Sequence, residues 1–320
     1  MGVRTSFEGW FEVELIDAAS GRVKQRHRFR NLLTNNFLDL VGSSTTNLVA
    51  QQYNNTGLIR YLQLGTGSTA PTNADTALAT PIAVFSNITT TAQTYGYVAG
   101  PPDYWWYKIW REFSEAQANG NLSELGFWTA DTAGTLVNRQ LIKDSGGTPI
   151  TITKTSADKL RISYEFRVYP PAADVSGTVT LATIDYDYTI RANDVDDDSF
   201  AQGGWIGPIQ NARWGNSVSN SFKYGTTQTL AARTANMSLG TSGNPTSMTY
   251  ASYSGGTYYR DLEVRADPAD SNLTGGIGCF KLSWTGLNNF HAWQGVFSTK
   301  IPKDNTKRLI INLRWAWDRL

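Results

Sequence analysis

Few side chains in this sequence are of a kind that carries chemistry, and their spacing serves none of the common reactions. The densest acidic cluster is Asp194, Asp196, Asp197 and Asp198. Alternate oxygen ligands in a loop can hold calcium, but the glycine and distal glutamate of an EF-hand are missing. Asp194, Asp196 and Asp198 therefore stand as a weak candidate cation site, beside the plainer reading of a solvated loop. There are two histidines, His27 and His291, and one cysteine, Cys279. A zinc site needs three or four ligands, so both histidines read as structural or surface residues. Cys279 lies between Ile277 and Phe280 and reads as a small buried hydrophobe. Gly65-Thr66-Gly67 is not followed by the lysine and helix start of a phosphate-binding loop; Pro71 follows instead, which describes a tight turn. No Gly-x-Ser-x-Gly elbow occurs. Glu112 and Glu115, near Trp105, Trp106 and Trp110, are the best pair for glycoside hydrolysis, yet they equally describe a charged strand end beside an aromatic cluster. With no catalytic constellation, metal set or cofactor motif, the expectation is that the chain is not an enzyme.

The aromatics are more informative. Eleven Trp and fifteen Tyr exceed what two modest cores need. In Tyr104-Trp105-Trp106-Tyr107 neighbouring rings fall on opposite faces of a strand, so one face can enter the core while the other must meet something apolar: a neighbouring subunit first, then core or loop cover, then a sugar ring. Trp315 and Trp317 share one face of the last strand, with Arg314 and Asp318 on the other, and an edge position there would let a partner extend the sheet. Trp105, Trp106, Trp110, Trp315 and Trp317 are thus interface candidates, together with the loop residues Gly65, Thr66, Gly67 and Pro71.

The elements that must position these residues are short and alternating. Residues 7–15 and 22–29 alternate around a turn cluster at 17–21 and predict a hairpin. Residues 31–41 are the best helix candidate, with Gly42 as a stop. Strands are expected near 58–64, 104–113, 122–129, 136–142, 150–154 and 160–169, with turns about every ten residues, the spacing of an antiparallel sandwich or barrel. Ala77, Leu78 and Ile82 are expected to anchor the loop after Gly67.

The 320 residues suit two domains of about 150 residues each. A formal net charge of +1 gives no reason to expect nucleic acid or an acidic membrane surface as partner. No run of about 18 apolar residues is present, so no membrane insertion is expected, and the charged start reads as lacking a signal peptide. Pro170-Pro171 is the clearest boundary.

The same unit is expected twice, at 1–170 and 171–320. Leu62-Gln63-Leu64-Gly65-Thr66-Gly67 is matched by Met237-Ser238-Leu239-Gly240-Thr241-Ser242, and residues 106–110 by 258–262. Leu125-Gly126-Phe127-Trp128 is matched by Ile277-Gly278-Cys279-Phe280, and residues 159–168 by 308–317. The fold class is accordingly all-β: two tandem antiparallel sandwich or barrel-like domains from an internal duplication, with one or two short helices.

The first copy also carries a family pattern. The strand ending in Leu64-Gly65-Thr66-Gly67, then Ala70-Pro71-Thr72 and Asp75-Thr76-Ala77-Leu78, resembles virion proteins of tailed bacteriophages, of the tail-fibre, baseplate and tail-tip kind. Ser123-Glu124-Leu125-Gly126 resembles a second element of those proteins, and the stretch from Ile152 to Tyr164 resembles their closing strand. The resemblance covers most of 1–170 in order and the second copy more thinly. It implies a structural subunit of the virion, in the tail tip, baseplate or fibre-attachment region, made in a bacterial cytoplasm. Such a subunit docks on other virion proteins, forms a homo-oligomer within the particle and needs no cofactor. The alternatives are a host-glycan-binding module using the same aromatics, or a capsid decoration protein.

Overall fold

The computed structural model describes residues 1–43, 59–84, 93–130, 134–193, 195–196, 222–283 and 291–320. Alternation produces strands nearly throughout. The predicted hairpin forms as β1 (Gly2–Asp17) and β2 (Val23–Arg30), followed by β3 (Leu32–Leu33) and the helix α1 (Asn35–Ser43). Next come β4 (Tyr61–Gly65), β5 (Pro81–Val84), β6 (Gln93–Val98) and the aromatic β7 (Tyr104–Phe113). β8 (Gly120–Leu122), β9 (Glu124–Trp128), β10 (Leu136–Leu141), β11 (Ile152–Lys154) and β12 (Asp158–Tyr169) complete the first half. The second half holds β13 (Val175–Leu181), β14 (Ile184–Ala192), β15 (Phe222–Gly225), β16 (Ser242–Gly243) and β17 (Ser247–Tyr250). It ends with β18 (Tyr259–Ala266), β19 (Ile277–Ser283), β20 (His291–Ile301) and β21 (Leu309–Arg319).

The helix starts later than its periodicity suggests, because Leu32 and Leu33 pair with β10 instead. Thr34 then caps it, its hydroxyl accepting from the Phe37 amide at 3.3 Å. Phe37, Leu38 and Val41 turn inward, where Phe37 meets Phe7 and Phe166 edge-on at 5.7 and 5.5 Å. Phe11, Phe127 and Tyr164 extend this core at centroid distances of 4.9 to 5.9 Å. Each such ring contributes about 1.5–3 kcal/mol by leaving water.

One eight-stranded sheet runs β17-β18-β21-β1-β12-β7-β6, with β2 also paired to β1. A five-stranded sheet, β3-β10-β9-β4-β5, and a six-stranded sheet, β13-β14-β20-β19-β15-β16, are separate from it, as is the pair β11-β8. Among the described pairings only β1 with β21 is parallel. The last strand is therefore not an edge: β18 flanks it on one side and β1 on the other. Pro170-Pro171 ends β12, but the large sheet continues across that point in the sequence, since the two halves share β1. Further contacts tie them. Trp317 Nε1 donates to the Leu38 carbonyl (2.8 Å), Tyr253 Oη to Asp39 (2.6 Å), and Arg233 pairs with Asp103 (2.8 Å).

Both halves use one order of pairing. The first has β1-β12-β7-β6 and β3-β10-β9-β4-β5; the second has β1-β21-β18-β17 and β14-β20-β19-β15-β16. Register fixes which residues hold equal places. Leu160 faces Phe113 as Leu309 faces Ala266, so residues 159–168 and 308–317 hold corresponding register positions. The other three sequence matches shift. Gly65 faces Glu124 as Gly225 faces Cys279, so Tyr224-Gly225-Thr226 stands where Leu64-Gly65-Thr66 stands. Met237-Ser238-Leu239-Gly240 instead lies in the loop after β15. Ser123-Glu124-Leu125-Gly126 is matched by Gly278-Cys279-Phe280-Lys281. Trp105, not Trp106, is the counterpart of Tyr258: β7 places it opposite Val168, and the Tyr258 carbonyl accepts from Trp317.

A buried lysine marks the same place in each half. Lys154 Nζ donates to the Ser114 carbonyl (2.9 Å) and Asn119 Oδ1 (2.8 Å); Lys303 Nζ donates to the Asp267 carbonyl (2.7 Å) and Asn272 Oδ1 (2.9 Å). The turn each lysine closes carries a non-glycine residue at positive φ, Ala118 at 54° and Ser271 at 52°.

Candidate docking site

The motifs singled out in the sequence converge on one loop, residues 66–80, between β4 and β5. Its organising group is Glu124, fully buried at the start of β9. One carboxylate oxygen accepts from the amides of Gly67 (3.1 Å) and Thr80 (2.7 Å), and the other from the Ala79 amide (3.1 Å). Arg139, 3 % exposed on the neighbouring β10, neutralises it through Nε at 2.9 Å and Nη2 at 2.8 Å. A buried carboxylate is stable only when paired and hydrogen-bonded in this way.

Arg139 also reaches outward, to Asp75 (2.6 Å) and to the Thr69 carbonyl (2.9 Å). Burial opposes the charge on Asp75, but hydrogen bonds from the Thr72 amide, from Arg139 and from the Thr72 hydroxyl outweigh it and hold its carboxyl below the usual range. The Arg139 guanidinium is likewise held above its ordinary value, its two carboxylate partners outweighing desolvation. Thr72 and Asp75 close a turn at the tip, with Thr72 amide and hydroxyl donating to the carboxylate at 3.0 and 2.7 Å. Ser123 fastens the other side: its hydroxyl donates to the Gly67 carbonyl (2.9 Å) and its amide to the Gly65 carbonyl (3.0 Å).

Gly67 is required by this geometry, because a Cβ there would collide with the Glu124 carboxylate and with Ala79 Cβ. Leu78 is the buried anchor at 4 % exposure, whereas Ala77 and Ile82 are exposed, contrary to the expectation that all three turn inward. The outcome is a loop whose backbone is fixed from beneath while Thr66, Ser68, Thr69, Ala70, Thr72, Asn73 and Ala74 remain exposed and Pro71 half-buried. It offers hydroxyls, an amide and small apolar groups in a set arrangement, with no cation or nucleophile of its own. Such a surface suits recognition by shape. Sequence reasoning placed Gly65, Thr66, Gly67 and Pro71 here but missed Glu124 and Arg139 as its support, two charged residues 15 positions apart that meet only when β9 and β10 pair.

Three of the five tryptophans singled out are core residues. Trp105 and Trp317 are 1 % exposed and Trp315 is 5 % exposed. Trp105 Nε1 donates to the Val195 carbonyl, and Trp315 meets Trp293 edge-on at 5.6 Å. They cannot contact a partner in this fold. Trp106 and Trp110 do lie half-buried on the outer face of the eight-stranded sheet, with Tyr104 and Trp10. Two of these four rings are covered by cations: Arg28 and Arg167 lie over Trp10 at 4.9 and 5.5 Å, and Arg167 lies over Tyr104 at 4.5 Å.

The remaining candidates stay apart. Glu112 pairs with Arg161 (2.8 Å), and Glu115 stands 4.0 Å from Lys159. Of the acidic cluster only Asp196 is described; Asp194, Asp197 and Asp198 lie outside the described residues. Among the described residues no three His, Cys, Asp or Glu gather as a metal set, and no helix is long and apolar enough to cross a membrane. His27 is half-buried on β2, and His291 opens β20. Cys279 is buried, which pushes its thiol up to about 11.

The fold and this loop define an all-β protein of packed antiparallel sheets with a pinned surface loop. The sequence matches no family model, and neither a curated protein nor a solved structure matches it.

Proposed function

We propose that the chain is a structural subunit of a tailed-phage virion, in the tail-tip, baseplate or fibre-attachment region, that acts by protein–protein docking through residues 66–75. The observation that carries this reading is the use of the family-like motif residues. Gly67, Thr72, Asp75, Ser123 and Glu124 all hold an exposed loop in one conformation. A loop fixed before contact loses little conformational entropy on docking, which favours recognition by shape. In this reading the two halves are diverged copies of one unit, supported by their common pairing order and the paired lysines. Two related docking frames per chain let one subunit bridge unlike neighbours.

Tailed particles purified from the producing bacterium test the proposal by mass spectrometry and antibody labelling. The chain is expected at one end of the tail and cross-linked to other virion proteins through residues 66–75. Recovery only as free protein, with particles lacking it, would sink the proposal. The half-buried outer face bearing Trp106 and Trp110 is the place a host-glycan reading would use. Arginines over the rings of Trp10 and Tyr104 weigh against that reading, and a silent glycan array is the expected result.

A further inference from the structure

Among the described residues β13 is a sheet edge left open by the way β1 is shared. In the first half, the leading strand of the hairpin, β1, is flanked by β2 on one side and β12 on the other. β13 leads the corresponding hairpin of the second half and pairs with β14, but its other side has no partner among the described residues. The place it would take beside β21 is held by Gly2–Phe7 of β1, in parallel.

Exposed edges are normally protected by charge, proline, brevity or a bulge. β2 follows that rule with Lys24, Arg26, Arg28 and Arg30, β5 begins at Pro81, and β16 has two residues. β13 follows none of it: Val175-Ser176-Gly177-Thr178-Val179-Thr180-Leu181 carries no charge, no proline and no register shift over seven residues. Its side chains are also preset. On the exposed face Thr178 donates to Asp187 (2.7 Å), Thr180 to Asp185 (2.6 Å), and Ser176 shares a hydrogen bond with Thr189 (3.0 Å). On the other face Val179 and Leu181 pack against the core.

We propose that two copies of this chain pair antiparallel through β13, joining their six-stranded sheets across a twofold axis. The strand is self-complementary about Thr178. Val175 falls opposite Leu181 of the second copy, Ser176 opposite Thr180, Gly177 opposite Val179, and Thr178 opposite itself. Apolar residues then meet apolar residues on one face and hydroxyls meet hydroxyls on the other, with no like charges opposed. The proposal is independent of where the chain resides, because only the edge and its sequence carry it.

Sedimentation velocity of the full chain over a concentration series provides the test. A monomer–dimer equilibrium is expected. Thr178→Lys, which sets two ammonium groups against each other at the axis, is expected to raise its Kd by about tenfold or more without changing the melting temperature of the monomer. Thr94→Lys, on the other long uncharged edge, β6, is expected to leave the dimer intact. Thr178→Cys should give a disulfide-linked dimer on mild oxidation, since directly opposed residues sit about 4.5–5.5 Å apart, within disulfide reach. The Thr94→Cys control should not. A chain that stays monomeric throughout, a dimer indifferent to Thr178→Lys, or a dimer that Thr178→Cys does not cross-link would overturn the proposal.

Discussion

Glu124 and Cys279 occupy the same place in two similar frames, and the comparison shows how one scaffold carries two kinds of loop. Glu124 faces Gly65 across one pair of strands as Cys279 faces Gly225 across the other. Two residues along, Arg139 faces Gly126 as Gln294 faces Lys281. The frame around them is unchanged: the Thr66 amide donates to the Thr80 carbonyl at 2.9 Å and the Thr226 amide to the Leu239 carbonyl at 2.8 Å. What differs is the anchor. The first loop is held by a buried ion pair. In the second, neutral amides serve: Gln294 accepts from the Ala231 amide (2.8 Å), Asn193 from the Met237 amide (3.1 Å), and Gln228 donates to the Ser298 carbonyl (2.9 Å). Acid and arginine differ together between the halves, because Glu124 without Arg139 would be a buried charge with no ionic partner.

The comparison breaks most visibly at Glu124. Glu124→Ala leaves Arg139 buried and three amides without their acceptor, and should cost about 3–5 kcal/mol in chemical denaturation. Cys279→Ala, at the corresponding place, removes one sulfur from an apolar site and should cost only about 1–2 kcal/mol. The double variant Glu124→Cys with Arg139→Gln, which installs the second half's pair, should recover much of the first loss while leaving residues 66–80 more open to protease.

The buried lysines sharpen the other side of the comparison, what the halves share. Lys154→Met and Lys303→Met each leave carbonyls without a donor and should each cost about 2–3 kcal/mol. Costs differing severalfold would show that the two turns are not held alike.

Acid should release the ion cluster that ties β2 to β1 and β12 only at low pH. Lys24 lies 2.6 Å from Asp158 and 3.1 Å from Asp17. Hydrogen bonds from Lys24 and Thr155 lower the Asp158 carboxyl to about 2, and bonds from Ser20 and then Lys24 do the same for Asp17. Both folded values lie below the unfolded value of about 3.9, so their stabilisation is complete above that pH and disappears as pH falls through about 2. Lys24→Met should move the Asp158 titration, followed by NMR, up toward the ordinary range. The smallest effect is expected at Cys279, whose raised, buried thiol should resist thiol reagents at neutral pH until the chain unfolds.

Much of this was legible in the sequence. Period-two alternation gave the strands, the turn cluster gave the β1–β2 hairpin, and helical spacing gave α1 to within a few residues. Register was not legible. A slip of one residue in a strand exchanges its faces, and that is the error that matched Trp106 rather than Trp105 to Tyr258. Nor did Trp315 and Trp317 reveal that β1 would lie against β21, since a parallel partner some 310 residues away leaves no local mark. The motif loop itself was visible, but its cause was not. Gly67 and Glu124 are 57 residues apart in the chain and meet only when β4 and β9 pair.

Hydrogen–deuterium exchange of the full chain tests the central claim, that Glu124 holds an exposed loop in one conformation. The amides of Gly67, Ala79 and Thr80 are predicted to exchange as slowly as those of strand β9 in the unaltered chain, and much faster in Glu124→Ala. Fast exchange at these three amides in the unaltered chain, level with the exposed Thr69 and Ala74, would contradict it.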